Sequence, residues 1–171
     1  RFTQPGSSVR NSSLHRGVSL KGRALRLLAM REHSRAELKA KLAVHATPSD
    51  DLDALLDELS AQGWLSDERA ALSLVRSKAQ QWGSRRLKQA LQNKGVGADV
   101  ITEAMSGLAD TEVHRAAHLW QRKFGSPPAD ATERARQMRF LLARGFSSAT
   151  VTLTLKKAAS IACGEWPEDA D

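Results

Sequence analysis

The chain has 171 residues, enough for one ordinary domain or a few small modules, and at 41 % apolar it can build a packed core. A net charge of +7 with a pI near 10.1 points to a polyanion or an acidic protein as partner. A single cysteine, Cys163, rules out a disulfide framework or a cysteine-built zinc cluster, no apolar run approaches the ~18 residues of a spanning helix, and the first twenty residues lack a signal core; a soluble cytoplasmic protein, with no membrane contact, is the expectation.

Residues 1–19, RFTQPGSSVRNSSLHRGVS, are polar and basic with no apolar period, which predicts a disordered basic tail. From Leu20 a helical period begins, with Ala24, Leu27 and Leu28 on one face. Ser34 opens a capping box with Glu37, and the helix behind it carries Leu38 and Leu42. Thr47-Pro48 predicts a third helix start, with the stripe Leu52, Leu55, Leu56, Leu59 ending at Gly63. The same three beats follow. Ser66 caps a helix with Ala70, Ala71, Leu74 and Val75; Gly83-Ser84 starts one with Leu87 and Leu91; Gly97 to Asp99 starts one with Ile101 and Ala104. A third unit begins at Asp110, with Ala116, Ala117, Trp120 and Phe124 in register. Its second helix, capped by Asp130 and Glu133, runs to Gly145, and Ser147 caps its last helix, with Val151, Leu155 and Ala158.

The corner between second and third helix is written twice. Leu91, Lys94, Gly95, Val96 and Ile101 match Leu141, Arg144, Gly145, Phe146 and Val151. RAALSLVRSK (69–78) likewise aligns with RAAHLWQRKF (115–124). The expected fold is all-α, three tandem three-helix, helix–turn–helix-like modules at 20–64, 65–109 and 110–158, with a C-terminal tail at 159–171. Units this small gain stability by stacking on neighbours, which predicts an elongated curved rod.

Charge is sorted along the chain. Residues 47–68 carry seven acids and no base, and residues 69–97 carry seven bases and no acid. Stacked modules would align the basic helices as one stripe, a footprint for nucleic acid or an acidic groove. The competing reading is ordinary solvated faces with acid–base pairing between modules. The candidate partner-binding residues are Arg76, Lys78, Arg85, Arg86, Lys88, Lys94, Arg139 and Arg144. Lys94 and Arg144 stand at the same place beside the glycine of successive corners.

Catalytic patterns are missing. His114 and His118 have the spacing of a metal pair but no glutamate between them, and read as surface histidines. Asp50, Asp51, Asp53, Asp57 and Glu58 read as a solvated acidic face. Trp82 and Trp120 read as core. The expectation is a non-enzyme with no cofactor and no metal.

Four stretches, ALRLLAMREHSRAELKAKL (24–42), GWLSDERAA (63–71), WGSRRLKQALQNKGV (82–96) and RFLLARGFSSATV (139–151), together resemble the RecX family of bacterial recombinase regulators. The resemblance implies tandem three-helix repeats. It also implies a protein that binds a RecA-type recombinase filament on DNA and inhibits its ATPase and strand exchange, modulating recombination, DNA repair and the SOS response; a monomer is the separate expectation. Weak DNA contact, mainly to phosphates, comes with it. The alternative is a nonspecific or helix–turn–helix-like DNA-binding protein, and a third reading is a plain helical scaffold. One departure shows: where the family usually has a bulky aromatic, SDERA puts Ala70, and Trp64 or Trp82 is expected to fill the space.

Overall fold

The computed structural model describes residues 17–166, and among them it contains helices and no strands. The first module holds α1 (Leu20–Met30), α2 (Arg35–Ala43) and α3 (Leu52–Ala61). The second holds α4 (Asp67–Lys78), α5 (Ser84–Asn93) and α6 (Ala98–Ala104). The third holds α7 (Glu112–Lys123), α8 (Ala131–Ala143), α9 (Ser148–Lys156) and α10 (Ala158–Ala162). The predicted basic tail lies outside the described residues except for 17–19, where the Ser19 hydroxyl accepts from the Gly22 amide and caps α1.

Most predicted caps form. The hydroxyls of Ser34, Ser66 and Ser147 accept from the amides of Glu37, Arg69 and Thr150, and the Asp130 carboxylate accepts from Glu133. Each satisfies an amide that the helix leaves without an internal partner. Thr47-Pro48 does not start α3. The Asp50 carboxylate takes the Thr47 amide and hydroxyl, closing a separate turn, and Asp51 caps the helix four residues later than the sequence suggests. A further difference is α10. Where a tail is expected from residue 159, the chain turns once more and buries Ile161 completely against α7 and α9.

Each module has its own core. Ala24, Leu38, Leu42, Leu56 and Leu59 fill the first, Ala71, Val75, Leu91, Val96 and Ile101 the second, and Trp120, Leu141, Phe146, Val151 and Ile161 the third. The buried indole of Trp120 donates to Gln137 Oε1 at 2.7 Å, so its one polar atom is satisfied inside the core.

The modules are joined in series by one repeated device: the glycine corner of each module docks on the start of the second helix of the module before it. Gly95 and Gly145 both take a positive φ (69° and 87°), and the next residue, Val96 or Phe146, plugs the core. At the first junction the Ser34 hydroxyl donates to the Lys94 carbonyl, the Arg35 amide donates to Asp67 at 2.7 Å, and Lys94 Nζ pairs with Glu37 at 2.7 Å. At the second, the Gly83 amide donates to the Arg144 carbonyl at 2.9 Å, and the Arg85 amide to the Gly145 carbonyl at 3.2 Å. The Glu112 carboxylate accepts from the Ser84 amide at 2.8 Å, the role Asp67 plays one module earlier.

The first corner, between α2 and α3, differs. Val44 and His45 occupy it, and no residue there has a positive φ. At the other end, Asp130 sits at the start of α8 in the place that Ser34 and Gly83 hold at the starts of α2 and α5.

Candidate functional site

The structure divides the candidate basic residues into those that build the junctions and those that face outward. Lys94 belongs to the first group. Its carbonyl accepts from Ser34 and its ammonium is held by Glu37, itself bound by Arg31 Nη2 at 2.7 Å. Burial alone would raise the Glu37 pKa, but the hydrogen bonds and charges of Arg31 and Lys94 override it and hold the group at about 2. His33, 2 % exposed, stands behind this cluster with Nδ1 unpartnered and 3.7 Å from Glu37.

Arg115 is a second structural cation, one the counted blocks of charge conceal. It is 4 % exposed. Its guanidinium donates to the carbonyls of Ala79 and Trp82, each at 2.8 Å, and of Leu108 at 3.0 Å. One side chain thus ties the end of α4 and the exit from α6 to α7. Acid–base pairing accounts for other charges too. Arg69 pairs with Glu32 across the first junction, and Lys21, Arg35 and Lys39 neutralise Glu58, Asp53 and Asp57, so the acidic face of α3 is largely matched within its own module.

What remains is a band across the second junction. Arg86 Cζ lies 4.5 Å from the Trp82 ring centroid and Lys78 Nζ 5.5 Å from it. Arg86 also reaches the Ala143 carbonyl of the next module at 3.4 Å. Beside Ala143, Arg144 Cζ lies 5.0 Å from the Phe140 ring, and Lys123 Nζ 5.9 Å from the same ring. Phe140 meets Phe124 edge-on at 5.3 Å, and Arg136 covers Phe124 at 5.6 Å. The aromatic faces fix the cations without neutralising them, because a ring quadrupole attracts a cation but carries no net charge. A cleft of about 290 Å³ opens here, lined by Gln81, Leu119, Arg122, Lys123, Phe140 and Arg144, with no acid in its wall. The Arg136–Glu133 pair closes one end of the band at 3.2 Å.

Of the eight candidates, then, Lys78, Arg86 and Arg144 come together in the band and Lys94 is in the first junction. Arg76 lies in a shallow cleft with Glu32 and Arg69. Arg85, Lys88 and Arg139 are exposed and line neither cleft, although the Arg85 backbone serves the second junction. Arg122, Lys123, Arg136 and the two phenylalanines are members the sequence reading did not single out. Their signal was faint: bases one helical turn from aromatics, at 122–124 and 136–140.

Trp64, 56 % exposed, does not fill the space beside Ala70. Ala70 instead lines an open cleft at the first junction, together with Arg31, Glu37, Leu74 and Lys94. Among the described residues no group of three or more His, Cys, Asp or Glu is placed to hold a metal, and no helix is long and apolar enough to cross a membrane.

The fold and the band define a three-module helical repeat protein with a cationic, aromatic-backed face. Comparison with known proteins gives the family. Residues 21–59 match the first three-helix domain of RecX, residues 66–105 the second and residues 110–152 the third. The regulatory protein RecX of Leptothrix cholodnii is 52 % identical over 141 residues, covering 82 % of this chain and 90 % of that protein. That of Ralstonia nicotianae is 48 % identical, over 82 % of this chain and 89 % of that one. The crystal structure of RecX from Lactobacillus salivarius superposes with a TM-score of 0.70 at 20 % identity, covering 82 % of this chain and 95 % of that one. The chain belongs to the RecX family.

Proposed function

We propose that the protein binds along a RecA-type recombinase filament on DNA and inhibits its ATPase and strand-exchange activity, thereby modulating recombination, DNA repair and the SOS response. It acts as a cytoplasmic monomer without cofactor or catalytic chemistry. Family membership supports the regulatory role, and the observation that carries the interface is the cleft wall with three cations and no acid. Modules joined in series let several weak contacts act together, so affinity rises through effective concentration more than through any single contact. The same face suits phosphate contact with DNA, since guanidinium groups recognise phosphate without reading sequence. Sequence-specific reading through a helix–turn–helix corner is less well supported: α6, the third helix of the second module, exposes Asp99 and Glu103, which repel a phosphate backbone.

The test is a recombinase ATPase and strand-exchange assay on single-stranded DNA. Inhibition at amounts stoichiometric with the filament is expected. Full activity under conditions where the filament is shown to form would exclude the reading.

A further inference from the structure

Two clefts of the third module share one wall. Lys123 and Phe140 line the cationic cleft beside Arg122 and Arg144, and the same two residues line a second cleft of about 400 Å³, completed by Phe124 and Arg136. The first cleft is charged, with Gln81 and Leu119 in its wall and no acid. The second is walled by two half-buried phenyl rings set edge-on at 5.3 Å. Its Arg136 is already paired with Glu133, at 3.2 Å.

A phosphate ligand would use the cations and leave the phenyl walls wet. A single-stranded nucleic acid covers such walls by stacking a base on an open ring face. Here other groups compete for the ring faces: Phe140 carries Arg144 and Lys123, Phe124 carries Arg136 and its edge-on partner, and Trp82 carries Arg86 and Lys78. The limits of the band argue the same way. Glu133 bounds it at one end, and at the other Lys78 borders the first-junction cleft, whose wall holds Glu32 and Glu37. A polyphosphate strand carries its charge on past both ends, towards those acids, whereas a short segment stops before them.

We propose that the band docks an acidic peptide segment of a protein partner, with carboxylates in the cationic cleft and one apolar side chain between the phenylalanines. The inference deepens the reading of this face as the partner-binding surface and rests on it. The guanidinium groups of Arg122 and Arg144 match a carboxylate in fork geometry, and the Phe140 ring holds Arg144 in place without cancelling its charge. Gln81 offers both a donor and an acceptor to a main chain lying across the cleft. An extended chain sets side chains i and i+2 on one side about 7 Å apart, the scale of two clefts with a common wall. An acid and an apolar residue two positions apart therefore reach both. Burial of the apolar side chain adds the selectivity that long-range charge attraction lacks.

Fluorescence anisotropy of a fluorescein-labelled peptide, Gly-Glu-Asp-Leu-Glu-Asp-Gly, against the full chain tests it. Binding at low salt is expected, weakened about ten-fold or more by Lys123→Gln with Arg144→Gln. Lys88→Gln with Arg139→Gln removes the same charge from exposed positions outside both clefts and should change binding little. Replacing the peptide's leucine by glycine should weaken binding about five- to ten-fold, and this arm leaves the protein untouched, so it depends on no substitution folding. Equal losses in the two double variants, equal binding of the leucine and glycine peptides, or no peptide binding at all overturns the proposal. An oligothymidylate bound where the peptide is not would assign the face to nucleic acid. Peptide binding as expected in a protein that leaves the recombinase ATPase untouched would overturn the functional reading and not this one; inhibition without peptide binding does the reverse.

Discussion

Gly83 and Gly145 meet main chain to main chain. A Cβ built on Gly83 would overlap the Gly145 carbonyl carbon, and one on Gly145 would overlap Arg86. The equivalent contact one module earlier is looser: Gly95 faces only the Ala36 side chain, and ionic pairs replace the backbone ladder. The two junctions therefore share one plan and differ in what holds them.

Gly83→Ala should pry the second junction open. The neighbour is backbone and cannot yield as a flexible side chain would, so a loss of about 1–3 kcal/mol is expected, read as a lower urea midpoint. Gly145→Ala should cost more, because a positive φ adds strain to the overlap. Equal stability of Gly83→Ala and the unsubstituted chain would contradict the contact.

Arg115→Met removes the guanidinium that serves the Ala79, Trp82 and Leu108 carbonyls. Each buried carbonyl left without a donor costs about 1–3 kcal/mol, so this exposed-looking base in the sequence should prove among the most destabilising positions when substituted. Leu91→Ala, at a fully buried site, sets the scale at about 2–5 kcal/mol. A thermal melt of Arg115→Met within a degree or two of the parent would refute its role.

Acid should weaken the first junction in two stages. Burial, with Arg31 adding, holds His33 below its ordinary pKa of 6.5; Lys41 and Lys94 act the same way and Glu37 opposes them. Below about pH 6.5 the unfolded chain takes up a proton the folded one refuses, so stability starts to fall there. The Glu37 pKa is depressed from 4.5 to about 2, so its contribution is whole above about pH 4.5 and is lost as pH drops towards 2. Urea midpoints from pH 8 to 2 should show both stages. His33→Asn should flatten the first and Glu37→Gln the second; if neither does, the assignment fails.

Charge in the band should separate from charge in the junctions. Arg144→Gln with Lys123→Gln is expected to weaken filament inhibition at least several-fold while leaving the melting temperature nearly unchanged, since neither side chain forms an ion pair with another described residue. Lys94→Gln should do the reverse, lowering stability with less effect on binding. Melts and inhibition curves measured on the same preparations decide between them.

The module plan was legible because periodic leucines, hydroxyl caps and a glycine followed by an apolar plug are local signals, each needing only a few neighbouring residues. Ser66, Gly95 and Phe146 stand where their neighbours in sequence place them. The start of α3 was misread because Asp50 competes for the Thr47 amide, a choice between two side chains that composition does not settle. The α10 turn was missed because five residues with no capping side chain carry too little pattern. The basic residues were hardest. Lys94 and Arg144 are equivalent by repeat, yet one finds Glu37 and the other finds Phe140, and those partners are set by contacts between modules or across helices. The band itself joins Gln81 to Arg144, residues that meet only after two modules have docked.

The outer faces of the first and third modules differ from the two inner junctions. To seat another glycine corner, the start of α8 would need a hydroxyl to donate, as Ser34 does, or bare backbone, as Gly83 offers. Asp130 gives neither, and its carboxylate would turn away an arriving carbonyl. The α2–α3 turn, with Val44 and His45, has no positive-φ glycine to insert into a preceding neighbour. The two outer faces of the described array thus lack the parts from which its inner junctions are made, so a second copy cannot dock on either of them through that same contact.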